Sequence, residues 1–209
     1  MSGRRRSPPW ASPELQQELA DEAARLMTEH GIADFSLAKR KAAQRLGVRG
    51  GGGALPSNAQ IHERLAERQR TFEPAAHHDR LGRLRAAAVH AMDLLTAFRP
   101  RLVGAVLDGT ATQSSAVELH VFSDSPEVVA GALEGRGFRL RDAQRRYRFG
   151  RNEVEVIPGF ELNVEDEEVE VMVFPERGSS HAPLSPIDGK PMRRASRAAV
   201  LALEAGVES

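Results

Sequence analysis

The sequence predicts an α+β protein: a helical region over residues 12–100, then a mixed sheet of about five strands. A change of apolar spacing near Pro100 carries that expectation. Before it, apolar residues recur every three or four positions; after it, they recur at every second position. These are the spacings of a helix face and of a strand face. Charge changes sign at the same place. Residues 1–100 hold 16 basic and 11 acidic side chains and residues 101–209 hold 13 and 18, so a chain of zero formal net charge is basic in its first half and acidic in its second.

Each helix has its own start and stop. Ser12 and Pro13 are an N-cap and a first-turn proline. Leu15, Leu19, Ala23, Leu26 and Met27 follow at helical spacing, and Gly31 is the stop. A second, shorter helix begins at Asp34 or Ser36 and runs to Leu46, with Gly47 ending it. Phe35, Leu37, Ala38, Ala42 and Leu46 form its inner side, and Lys39, Arg40 and Arg45 lie largely outside. Residues 49–56 contain four consecutive glycines and form a flexible connector. No strand precedes that tract and no Gly-Lys-Ser/Thr ends it, so it is not a P-loop. Ser57 and Gln60 have capping-box spacing. They open a helix with Ile61, Leu65 and Phe72 on one face, stopped by Pro74. A fourth helix over 78–99 presents Leu81, Leu84, Ala88, Ala91, Leu95 and Phe98.

Beyond Pro100, residues 101–107 form a strand and Asp108, Gly109 and Thr110 a turn. In the next strand Val117, Leu119 and Val121 alternate with Glu118, His120 and Phe122. Ser125 and Pro126 open a helix that ends at Gly135. Residues 138–149 and 153–162 form two strands about a turn at Gly150, an arrangement that sets Arg146 and Arg148 near Glu153 and Glu155. Val169, Val171 and Val173 alternate with Glu168, Glu170 and Met172 in the last strand. Residues 176–209 are a proline-rich surface segment and a closing helix near 193–205.

Composition removes several function classes. There is no cysteine, which excludes disulfides, thiolate metal sites and a cysteine nucleophile, and agrees with a reducing cytoplasm. No segment approaches the roughly 20 apolar residues of a membrane span. Residues 1–11 are a basic, disordered N-terminus without the apolar core of a secretory signal. His62, His77, His78 and His90 form no HExxH pattern, so they are solvated or core histidines rather than metal ligands. Charge is clustered. Lys39, Arg40, Lys41 and Arg45 fall in one short helix, seven arginines in 135–151, and eight acids without a base in 153–170. The basic helix is a candidate contact for nucleic-acid phosphates. With one Trp, one Tyr and eight Phe, no base-stacking platform is evident.

The stretch VGAVLDGTATQSSAVELHVF, together with Glu170 in Val169-Glu170-Val171, resembles the polymerase-beta-like nucleotidyltransferase superfamily over residues 101–175. That family's pattern is an apolar strand, a glycine-serine turn, a strand carrying acid–apolar–acid, and a third acid on a neighbouring strand. The resemblance implies a nucleoside triphosphate held at Gly109, Thr110 and Asp108, and Mg²⁺ on the catalytic acids Glu118 and Glu170. Mg²⁺ takes oxygen ligands, and two acids on adjacent strands make its platform. Thr110 stands where serine is usual, and Ala116 where the first acid would be. The missing acid leaves an alternative: a catalytically inactive nucleotidyltransferase fold acting as a nucleic-acid-binding or protein-interaction module. Fold alone does not carry activity.

Overall fold

The computed structural model describes residues 12–48, 55–72 and 74–205. The expected disordered N-terminus (1–11) and most of the glycine-rich connector (49–54) lie outside the described residues. The chain forms two compact units. One holds the described residues up to Pro74 with Thr112–Ser114; the other holds Ala75–Ala111 and the residues from Ser115 onward.

The first unit is built on α1 (Pro13–His30), α2 (Phe35–Arg45) and α3 (Asn58–Phe72). Its caps are those the sequence predicts. Ser12 Oγ accepts from the Leu15 N–H, Gly31 closes α1 at φ 63°, and Asp34 caps α2. Ser57 and Gln60 satisfy each other's backbone N–H groups, a complete capping box. Leu19, Ala23, Leu26 and Met27 of α1 pack with Ile61 and Leu65 of α3. From α2 only Ala38 and Ala42 are buried, and these small side chains let its backbone come close.

The second unit comprises α4 (Pro74–Leu94), β1 (Arg101–Val103), α5 (Gly104–Asp108), β2 (Val117–Phe122), α6 (Pro126–Glu134), β3 (Arg141–Arg148), β4 (Val154–Val164), β5 (Glu167–Phe174) and α7 (Arg197–Glu204). Pro74, expected to stop a helix, also starts the next one, where its missing N–H costs nothing. The strand expected over 101–107 is only three residues long. At Gly104, φ 72°, the backbone turns into the short helix α5. A run of seven apolar residues cannot by itself separate strand from helix.

The five strands form one mixed sheet in the order β1-β2-β5-β4-β3, with β2 and β5 parallel and the other pairs antiparallel. Val117, Leu119 and Val121 of β2 and Val169, Val171 and Val173 of β5 point to one face. There they pack with Leu84, Ala88, Ala91 and Leu95, with Val129 and Leu133 of α6, and with Val200 of α7. The opposite face carries Glu118, His120 and Phe122 beside Glu170, Met172 and Phe174. Helices on one face of a largely antiparallel sheet make the α+β class.

The sheet does not stay flat. In strand order β3 lies three places from β2, about 14 Å away at the usual strand spacing. Yet Arg145 and Tyr147 of β3 bond directly to Glu118 and His120 of β2. The β3–β4 hairpin therefore curls over the face of β5 and β2. Gly159 in β4 permits it: a Cβ there would lie 2.4 Å from the Val171 carbonyl oxygen and 2.8 Å from Met172 Sδ. The register also corrects the expected charge pairing. Arg146 and Arg148 oppose Val156 and Val154, while Glu155 opposes Tyr147. A register one residue away from the expected one sends the intervening side chains, Arg145 and Tyr147, inward.

Candidate functional site

Glu118 and Glu170 are register partners on adjacent parallel strands, so their carboxylates share one face. The space between them is filled by the protein itself. The Arg145 guanidinium donates from Nη1 to Glu118 Oε2 at 2.5 Å and from Nη2 to Glu170 Oε2. The three side chains are 23%, 12% and 40% exposed for Glu118, Glu170 and Arg145. Gly104 abuts the cluster, since a Cβ on it would stand 3.0 Å from the Glu118 carboxyl carbon. Ala116 lies just before β2 and offers no oxygen.

Burial disfavours the charge on Arg145, but the Glu118 and Glu170 carboxylates outweigh it and hold the guanidinium protonated. Burial pushes the Glu170 carboxyl above its ordinary value; Arg145 pulls it back, and the neighbouring Glu118 and Glu161 add to the rise. One cation between two carboxylates is a closed arrangement of charge-assisted bonds.

A second polar group continues from it along the same face. Tyr147, two residues from Arg145 on β3, has its phenol pushed well up by burial and stays neutral. His120 is fully buried, 3.2 Å from the Tyr147 hydroxyl and 3.1 Å from Arg194 Nε. A guanidinium only donates, so His120 Nδ1 must accept and the ring proton sits on Nε2, donating to Tyr147 Oη. Burial first, then Arg194 and Arg145, hold this imidazole well below its usual pKa. Arg194 lies 5.0 Å from the ring centres of both Phe122 and Phe174 and donates to the Gly178 carbonyl. Burial brings its pKa down to about 10. The proline-rich segment thus crosses the aromatic end of the sheet and pins it through Arg194. Its bridge from Ala195 to Leu102 fixes it to the β1 edge.

The other expected site residues lie elsewhere. Asp108 ends α5 and faces Arg193 at 3.5 Å. Gly109 caps α5 at φ 75°, and the buried Thr110 donates its N–H to the Ala105 carbonyl. The carbonyl of Gly109 accepts from His77 Nε2 at 2.9 Å, and its missing side chain would point toward Arg85. So α5 divides the expected site: Gly104, at its start, meets Glu118, whereas Gly109, at its end, meets His77 and Arg85. On α2, Arg45 reaches Glu22 at 3.3 Å and burial lowers the Lys39 pKa. Arg40 and Lys41 are exposed and have no ion-pair partner among the described residues.

Whether the acids fit a magnesium ion can be judged from the donor set. Among the described residues no group of three or more His, Asp or Glu side chains gathers as a metal site. The two glutamates present their oxygens to a guanidinium that already supplies the positive charge. With Arg145 in place, these residues do not fit Mg²⁺, and no chemical step can be drawn through it.

Sequence reasoning missed Arg145, Gly104, Tyr147 and Arg194. The first and third follow from hairpin register. Gly104 fell inside the strand expected over 101–107, and only its positive φ marks it as the turn into α5. Arg194 is 74 positions from His120 and gave no local signal. No protein-family model and no curated protein matches the chain. Among the described residues, no helix is long and apolar enough to cross a membrane.

Proposed function

We propose that this protein is a nucleotidyltransferase-like fold that no longer transfers nucleotides and works as a cytoplasmic binding module for nucleic acid. The observation that carries the loss of catalysis is the Arg145 bridge: a guanidinium from the curled hairpin occupies the space between Glu118 and Glu170 where a catalytic cation would have to sit. The kinship is supported by the order strand, glycine, helix, acid strand, and by Glu170 lying in register beside Glu118 on a parallel neighbour. The binding role is supported by α2. Ala38 and Ala42 are its buried side and Arg40 and Lys41 are exposed and unpaired among the described residues, while Lys39 is half-buried and Arg45 pairs with Glu22 of α1.

Two measurements test the two halves. Incubation with a mixture of nucleoside triphosphates and Mg²⁺ should release no pyrophosphate. Release that disappears in Glu118→Gln and Glu170→Gln would restore the catalytic reading. For binding, the logarithm of affinity for a mixed RNA or DNA oligonucleotide should fall linearly with the logarithm of salt, each contacted phosphate adding about −0.9 to the slope on duplex DNA. The double variant Arg40→Gln/Lys41→Gln should make that slope shallower by about two contacts' worth. An affinity indifferent to salt, or a slope unchanged in the double variant, would remove the nucleic-acid role.

A further inference from the structure

The far end of α5 holds a cation whose surroundings are the reverse of those of Arg145. Arg85 lies on α4 beside a cavity of about 150 Å³, lined by His78, Leu81, Gly82 and Arg85 and by Leu203 and Glu204 of α7. A water molecule takes about 30 Å³ of liquid volume, so there is room for a tetrahedral oxyanion with its own waters. Arg85 makes no hydrogen bond or salt bridge among the described residues, and its Nε–H is buried without an acceptor. Across Gly109 from it, His77 uses Nε2 to reach the Gly109 carbonyl and leaves Nδ1 buried and unpaired. Buried polar atoms in native folds nearly always have a partner. Of the two, the Arg85 Nε–H beside the cavity is a permanent cation's donor and marks a missing acceptor; His77 Nδ1, on a ring whose Nε2–H donates to a carbonyl, is itself an acceptor.

We infer that this corner of the second unit, between α4, α7 and the Gly109 end of α5, binds a small phosphate-bearing anion, inorganic phosphate or a phosphomonoester, with the Arg85 guanidinium as its principal contact. The surroundings favour an oxyanion: Arg80 and Arg85 lie near His77 on α4, and burial lowers the Arg85 pKa while Glu204 pushes it back up. Glu204 is exposed on the cavity wall, so it opposes an incoming anion while leaving the site open. Leu81 and Leu203 supply an apolar wall for the organic part of a monoester. The site is independent of α2 and of the Arg145 bridge.

The test uses the full chain and inorganic phosphate, followed by thermal unfolding and calorimetric titration against sodium chloride of equal ionic strength. Phosphate should raise the unfolding temperature above the chloride control. Arg85→Met should weaken its affinity at least tenfold, and Glu204→Gln should tighten it several-fold. Gly82 gives a second route that does not disturb packing, because a Cβ there meets nothing within 4 Å. Gly82→Glu sets a fixed carboxylate beside Arg85. It should raise the unfolding temperature without phosphate and abolish the phosphate effect. Arg40→Gln/Lys41→Gln should leave the phosphate effect intact, which separates this site from the nucleic-acid surface. Equal stabilisation by phosphate and chloride, or a phosphate effect that persists in both Arg85→Met and Gly82→Glu, would overturn the assignment.

Discussion

The two ends of α5 hold one arginine each, and the two are in opposite states. At the Gly104 end, Arg145 is bonded to two carboxylates and its charge is raised in stability by them. At the Gly109 end, Arg85 is partly buried, its Nε–H has no acceptor among the described residues, and burial lowers its pKa. The sequence motif points to both ends, with the cation on Glu118 and Glu170 at the first and the triphosphate at Gly109, Thr110 and Asp108 at the second. The unpaired Arg85 Nε–H points to the second as the place for a ligand, because a buried donor left unmet favours an acceptor. A pattern of residue types therefore locates a site less well than the question of which buried charges remain unanswered.

The largest effect tests what closes the Gly104 end. Gly159→Ala puts a methyl group 2.4 Å from the Val171 carbonyl oxygen, a backbone atom that cannot move aside alone. Overpacking of this kind costs about 3 kcal/mol. Its signature is the loss of the curl: in a chemical-denaturation series the variant should lose stability, and Tyr147, the chain's single tyrosine, should become accessible to solvent quenching. A variant as stable as the parent with Tyr147 still shielded would mean that the hairpin does not depend on this close approach.

The next effect sharpens the meaning of the bridge. Arg145→Met leaves Glu118 and Glu170 facing each other without their cation. Breaking a buried pair costs about 3–5 kcal/mol, but Arg145 is 40% exposed and water screens part of that, so about 2 kcal/mol is expected. Adding Glu118→Gln and Glu170→Gln to Arg145→Met should recover most of the loss. The same three variants, titrated with Mn²⁺, report whether the carboxylates take a divalent cation once the guanidinium has gone. Recovery absent from the triple variant would show that Arg145 stabilises through packing of its stem rather than through charge.

How far the sequence reveals such a site depends on how local the determinant is. Caps were legible because Ser12, Asp34, Ser57 and Gln60 act within three residues of themselves. The mixed sheet was legible because β2 and β5 alternate strictly between core and opposite face. The placement of Glu118 beside Glu170 came from the resemblance. What filled the space between them did not, because Arg145 arrives through hairpin register and a bend at Gly159, each fixed by contacts with strands that are distant in sequence. The end of β1 was ambiguous for a different reason. Val-Gly-Ala-Val-Leu suits either a strand or one helical turn, and only the positive φ of Gly104 decides it.

A third effect distinguishes the aromatic end of the face from both arginine corners. The folded-state pKa of His120 is held well below its ordinary value, so at neutral pH the ring is neutral in both states and the buried network is intact. As pH falls below the unfolded value of about 6.5, the unfolded chain takes up a proton that the folded chain refuses. Stability is therefore present above that pH and lost below it, at up to about 1.4 kcal/mol per pH unit for one proton. The causes are burial first, then the charges of Arg194 and Arg145; a second N–H on Nδ1 would also face the Nε–H of Arg194. His120→Gln should be less stable at pH 7.5 and should flatten this acid limb; an unchanged limb would place the titrating group elsewhere.

The smallest effect concerns α2, and its smallness is the point. Arg40 and Lys41 touch no described partner, so Arg40→Gln and Lys41→Gln should each change stability by less than about 0.5 kcal/mol. Arg45 reaches Glu22 across an exposed pair, and Arg45→Gln should cost about 0–1 kcal/mol. The inner side behaves differently: Ala38 and Ala42 are fully buried against the other helices of their unit, and Ala42→Leu should cost about 1–3 kcal/mol by overpacking. A helix whose inner alanines carry its stability and whose exposed Arg40 and Lys41 carry almost none of it has those two cations available for a partner. If Arg40→Gln proved strongly destabilising, Arg40 would be serving the fold, and the polyanion surface assigned to α2 would lose its main contact.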